Sequence, residues 1–201
     1  GLLATILTTT IGGAVGIFSG YAGGWTDSIL SRLGDIFFAI PLLLGAVIVL
    51  VSLPETDNYY LIVLKVVLAL VVLGWPSMAR LMRSSVIQVK PNDYVHAARA
   101  LGASPWRVIR SHILPNAVAP LIVVATINLG AYISAEATLS YLGIGLQPPT
   151  VSWGVDISAA VVGMRTTPHM LFFPSVFLSL AVLAFIMLGD AVRDALDPKN
   201  R

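Results

Sequence analysis

Residues 92–115 read NDYVHAARALGASPWRVIRSHILP, a polar interval set between segments of membrane length. Tyr94, Ala97, Ala98 and Leu101 recur at i, i+3, i+4 and i+7, which predicts a short helix with one narrow apolar stripe. Asn92 or Asp93 supplies an N-cap after Pro91, and Gly102 suits the left-handed position that ends such a helix. Ser104-Pro105 restarts a helix, with serine as N-cap and proline at the first helical position, and Pro115 is expected to close it. The exposed side of this helix–turn–helix is mostly basic, with Arg99, Arg107 and Arg110. The small residues Ala97, Ala98 and Gly102 admit another protein's backbone at close range. The interval is expected to be a docking element.

Composition places that element on a membrane protein. Hydrophobic residues make up 57% of the chain and charged residues 11%, against about 25% in ordinary soluble domains. The mean hydropathy is +0.87. A chain this apolar cannot clothe itself in polar surface, so lipid is the expected solvent. The net charge of +2 is too small to imply a nucleic-acid partner, and the lack of cysteine excludes disulfides and thiolate metal sites.

Working outward from the docking interval, five spans are predicted at about 2–21, 36–52, 61–82, 117–139 and 171–188, near the length that a bilayer core of about 30 Å demands. The first carries Gly12, Gly16 and Gly20, a fourfold spacing that allows close helix–helix packing in lipid. It is not a signal peptide, because no basic segment precedes it, and an N-terminal portion upstream of Gly1 is expected. Residues 23–35 read as a short polar loop, Pro41 as a kink in the second span, and Trp75-Pro76 as a bend in the third. Lys65 reads as a snorkelling side chain. In the fourth span Asn128 and Glu136 are polar groups in costly positions, expected as candidates to line a path or gate, with a structural hydrogen bond or ion pair as the other expectation for Glu136. Residues 141–170 form a turn-rich outer loop, with Tyr141 and Trp153 suited to a membrane–water interface. A charged tail is expected from Gly189-Asp190 onward.

Orientation follows from the basic residues. With five spans, one face holds Arg32, then Arg80, Arg83, Lys90, Arg99, Arg107 and Arg110, then Arg193, Lys199 and Arg201. The other holds Arg165 alone, and Lys65 lies within a span. The rich side, with the docking interval and the C-terminal tail, is therefore expected in the cytoplasm and residues 54–60 outside.

Motifs for chemistry are sparse. No P-loop pattern is present, and Gly143-x-Gly145 is a fragment of a dinucleotide signature in a proline-rich segment. Neither H-E-x-x-H nor G-x-S-x-G occurs, and His96, His112 and His169 are isolated, so no metal site is predicted. A DNA-reading role for the helix–turn–helix conflicts with spans beginning within a few residues of both its ends.

The run AA-x3-G-x11-LP, from Ala97 through Gly102 to Leu114-Pro115, resembles the EAA loop of membrane subunits of binding-protein-dependent ABC importers. RLGDIFFAIP (32–41), EATLSYLGIGLQPPTVSWG (136–154) and LGDAVRDALDP (188–198) extend the likeness to the second permease subunit of dipeptide and oligopeptide importers. Two positions depart: His96 stands for the motif's leading glutamate, and His112 for its isoleucine, with Ile113 next door. The resemblance implies an all-α type I importer permease bundle, with six helices in the whole subunit, in the inner membrane of a bacterial cell. It implies a second homologous permease subunit, separate ATPase subunits that bind the ATP, and an extracytoplasmic solute-binding protein. His96, Ala97, Ala98, Leu101, Gly102, Ser104 and Arg107 would form the ATPase-docking surface, and the solute would be a peptide, a nickel complex or haem. The alternative is a self-contained secondary transporter or channel, which usually shows inverted repeats or several buried ionisable groups. A membrane-embedded enzyme is the third reading, and no nucleophile–base or metal constellation supports it.

Overall fold

A computed structural model describes residues 1–196. In chain order the helices are α1 (Leu2–Ala22), α2 (Gly24–Phe38), α3 (Leu42–Ser52), α4 (Tyr59–Val89), α5 (Asp93–Ala100), α6 (Pro105–Val108), α7 (Leu114–Ala117), α8 (Ala119–Tyr141), α9 (Trp153–Val161) and α10 (Pro168–Leu196). A π-helical turn, Ile109–Ile113, joins α6 to α7. No strand occurs among the described residues. Helices α1, α4, α8 and α10 are each long and apolar enough to cross a membrane, and α2 with α3 makes a fifth candidate if the bent pair is one span.

The structure departs from the sequence expectation at several places, among them residues 141–170, which are not all loop but contain α9 and the first residues of α10. Residues 23–35 are not a loop but form most of α2, whose first turn carries Asp27 beside the positive end of the helix dipole. The expected kink at Pro41 is a full break, with α2 and α3 meeting at 86°. Pro41 has no N–H to continue the ladder and pushes Ile40 away from helical backbone angles. Helix α4 runs past the predicted boundary near Met82 to Val89, and carries Pro76 inside it. Its start is held by the Asn58 side-chain carbonyl, which accepts from the amides of Tyr60 at 3.0 Å and Leu61 at 3.4 Å. Helix α10 continues to Leu196 through Gly189-Asp190, where a tail was expected; Lys199 and Arg201 lie outside the described residues.

Packing is tightest between α1 and α4. A methyl group placed on Gly12 would sit 2.5 Å from the Trp75 carbonyl oxygen and from Met78 Cβ, and one on Gly16 would sit 2.4 Å from the Ala79 carbonyl oxygen. At Gly20 the nearest atoms, the Arg83 carbonyl and Val86 Cβ, lie at 3.0 Å. The three glycines thus lay α1 directly on the α4 backbone, where dispersion rather than burial from water stabilises the contact.

Two apolar cores result. One gathers Ala4, Ala46, Leu50, Val66, Leu70, Tyr132 and Leu139 from α1, α3, α4 and α8. The other gathers Met78, Met82 and Val86 of α4 with Val95, Val108, Ile113, Ala117 and Leu121 of the α5–α8 region. The polar interval is therefore seated on a core of its own. In helix α10 only Gly189 is fully buried. The helix packs on α8, where Gly130 faces Val182 and Phe185, and its exposed face, with Phe172, Phe177 and Leu183, is left for lipid or another chain. Lys65 donates to the Pro54 carbonyl, reaching toward the end of its helix.

Candidate coupling surface

The surface is built from α5, the turn after it and α6. Helix α5 ends as its composition requires. Gly102 has φ +80°, its amide donates to the Arg99 carbonyl at 2.9 Å, and the Ala103 amide donates to the Ala98 carbonyl at 3.1 Å. These paired bonds close a Schellman turn, in which glycine takes the left-handed position without a Cβ penalty. Ser104 then opens α6, its hydroxyl accepting from the Arg107 amide at 3.4 Å with Pro105 in the first turn.

Pro115 does not close this second helix. It lacks the N–H that would bond to the Ser111 carbonyl, and the Leu114 amide reaches back five residues to Ile109 instead. The chain remains helical through that π turn and α7, then breaks at Val118 before α8 begins.

The two faces of α5 are assigned differently from the periodicity reading. Val95 is fully buried in the second core with Val108 and Ile113, and Ala98, one turn on, is only 8% exposed. Ala98 is therefore a support for the surface and not part of it. The outward side carries Tyr94, Ala97 and Leu101, the last 89% exposed. Trp106, 69% exposed on α6, adds a large apolar group that the sequence reading missed. A tryptophan in an otherwise polar, basic interval was the available signal. His96, Ser104, Arg107 and Arg110 are exposed as well. Arg99 is half-buried, with its guanidinium 5.3 Å from the Tyr21 ring centre, and so leaves the basic outer side. The result is a small surface of apolar knobs with a polar and cationic rim, seated on the buried Val95, Val108 and Ile113.

The other singled-out residues lie away from it. Asn128 is half-buried in α8, and Glu136 is half-buried two turns further on, near the opposite end of the same helix. Glu136 accepts a hydrogen bond from the Ser140 hydroxyl at 2.8 Å, while that hydroxyl accepts from the Leu146 amide at 2.9 Å. The pair fixes the turn that leaves α8. Gly12, Gly16 and Gly20 form the α1–α4 seam described above.

Residues 12–201 match the family model of the binding-protein-dependent transport system inner membrane component. This chain belongs to that family. The family member is 39% identical over 201 residues to the oligopeptide transport system permease protein OppC of Bacillus subtilis (strain 168), covering 100% of this chain and 64% of the relative. It is 40% identical over 202 residues to the dipeptide transport system permease protein DppC of the same organism, covering 100% and 61%. Against the glutathione transport system permease protein GsiD of Pectobacterium atrosepticum the identity is 37% over 199 residues, covering 99% and 64%. The chain thus spans a little under two thirds of the curated relatives' length. Among solved structures, the inward-facing MetNI methionine ABC transporter superposes with a TM-score of 0.69 at 21% identity, covering 98% of this chain and 92% of that one. An amino acid ABC transporter crystallised with histidines gives 0.64 at 19%, covering 97% and 90%. The fold is accordingly that of a type I ABC importer permease.

Proposed function

We propose that this family member is half of the translocation pathway of an ATP-driven importer, and that α5 with α6 is the part its ATPase grips. The observation that carries the reading is the two-faced α5. Its inner side, Val95 and Ala98, is buried, while Leu101 and Trp106 are exposed, with nothing among the described residues to cover them. Small, buried supports beneath large, exposed apolar knobs suit a helix received by a groove on another protein.

The remaining parts follow from that reading. The α5–α7 side faces the cytoplasm, in keeping with the excess of Lys and Arg there, and residues 54–60 face outward. The five spans proposed here are α1, the α2–α3 pair, α4, α8 and α10, with a sixth contributed by the rest of the subunit. ATP is bound by separate ATPase subunits, a second related permease completes the pathway, and an extracytoplasmic binding protein delivers the solute. Oligopeptide, dipeptide and glutathione relatives point to a peptide-sized solute. Glu136 serves as a structural hydrogen-bond acceptor at the outer end of α8.

Leu101→Asp tests the reading in the intact complex. Leucine contributes roughly 1.5–3 kcal/mol when fully buried, and each 1.4 kcal/mol is about tenfold in affinity. ATPase retention on detergent purification should fall at least about tenfold, with membrane insertion unchanged. Ala98→Asp should instead reduce the amount of folded protein, because its carboxylate would be placed at a buried position. Wild-type ATPase retention and uptake in Leu101→Asp would refute the docking role.

A further inference from the structure

The last turn of α1 collects three cations from beyond it in the chain. Ser19 donates to the Asp27 carboxylate at 2.5 Å, and Asp27 takes the Arg83 guanidinium through Nε at 2.5 Å and Nη2 at 2.6 Å. Two residues on, the Tyr21 carbonyl accepts from Lys90 Nζ at 2.8 Å. The Tyr21 ring lies beneath both Lys90 Nζ, 5.6 Å from its centre, and the Arg99 guanidinium, 5.3 Å from it. All three cations also complement the partial negative charge at a helix C-terminus.

Their positions in the chain give the arrangement its meaning. Lys90 ends α4 and Arg99 lies in the last turn of α5, with Pro91 and Asn92 forming the turn between them. That turn is the one covalent link between α4 and α5. Tyr21 bridges it, holding one cation from each side. Arg99 Nε is buried and has no hydrogen-bond partner among the described residues, so the ring face is the contact that compensates its lost hydration. Helix α1, in turn, is locked to α4 along the glycine seam.

We propose that Tyr21 is the positioning residue that makes α5 and the α1–α4 pair move as one body. Force applied to the coupling surface then rotates the two spans instead of bending the 90–92 turn. The proposal rests on the importer reading above. It adds an element outside the docking surface and outside the family motif: an aromatic side chain on a different helix, acting through Lys90 and Arg99.

The test uses the intact importer in proteoliposomes, with ATPase retention, ATP hydrolysis and solute uptake measured on the same preparation. Tyr21→Ala should keep its ATPase and its hydrolysis but lose about fivefold or more in solute carried per ATP, the low end of couplings between sites. Arg99→Met should behave in the same way. Tyr21→Phe keeps both the ring and the backbone carbonyl and should match wild type. Should Tyr21→Ala insert poorly, Arg99→Met decides alone. A wild-type ratio in Arg99→Met, or a loss in Tyr21→Phe as large as in Tyr21→Ala, would overturn the clamp. Solute uptake by wild-type vesicles that hold no ATPase would instead overturn the importer reading, and the clamp with it.

Discussion

Gly16→Ala should be among the most damaging single-methyl additions in the molecule, and Gly13→Ala, three residues earlier, among the mildest. At Gly16 the new Cβ would lie 2.4 Å from the Ala79 carbonyl oxygen, 2.7 Å from Met82 Cβ and 2.9 Å from the Arg83 amide nitrogen. Two of these atoms are backbone and cannot turn aside. Ordinary contact begins near 3.4 Å, so α1 must back away from α4 by about 1 Å. A gap of that size forfeits roughly a quarter to a half of each dispersion contact along the seam. Overpacking of this kind typically costs about 1–3 kcal/mol. At Gly13 the Cβ meets only Leu121 Cδ2 at 3.1 Å, the far end of a flexible side chain. Alanine's better helix propensity, about 0.5–1 kcal/mol, applies equally to both sites and cancels in the comparison. Gly16→Ala should therefore be less stable than Gly13→Ala by about 1–3 kcal/mol, read by SDS-titrated unfolding in mixed micelles. Equal costs at the two sites would refute the claim that α1 and α4 touch backbone to backbone.

Two further predictions separate strain and charge from crowding. Gly102→Val has open space around the new side chain but places a branched residue at φ +80°, so it should cost about 1–2 kcal/mol or more by backbone strain alone. Gly102→Asn, which tolerates that region, should recover much of the loss in the same unfolding assay. Asp27→Asn weakens a bidentate pair whose side chains are only 35% and 19% exposed, and should cost about 1.5–3 kcal/mol. Asp35→Asn loosens the Arg80 pair, 56% and 65% exposed, and should cost less than about 1 kcal/mol. A reversed order would mean that α2 is not anchored through Asp27.

Features set by local backbone rules were legible in the sequence. Gly102 ends its helix because only a residue without Cβ takes that conformation freely, and Ser104-Pro105 opens the next for equally local reasons. The fourfold glycine spacing likewise announces a flat face, although not which helix it meets. Helix α2 was missed because its glycines, serines and aspartates lower hydropathy without preventing helix formation. The ends of α4 and α10 were drawn too short for a related reason: hydropathy marks the edge of the lipid, whereas the hydrogen-bond ladder continues into water. The inner face of α5 was misassigned because both its faces carry apolar residues. Periodicity finds such a stripe but cannot say whether the chain's own core or a partner covers it. Asp27 with Arg83, and Tyr21 with Lys90 and Arg99, are joined across 56 to 78 positions, beyond the reach of any local pattern in one sequence.

The most direct test of the central claim is in-cell photo-cross-linking of the intact importer from two positions at opposite ends of the bundle. A photo-reactive residue at Leu101, 89% exposed beside α5, should give an adduct containing the ATPase subunit. The same residue at Val162, 93% exposed just after α9, should give no ATPase adduct. An ATPase adduct from Val162 and none from Leu101 would contradict both the orientation and the coupling role of this surface.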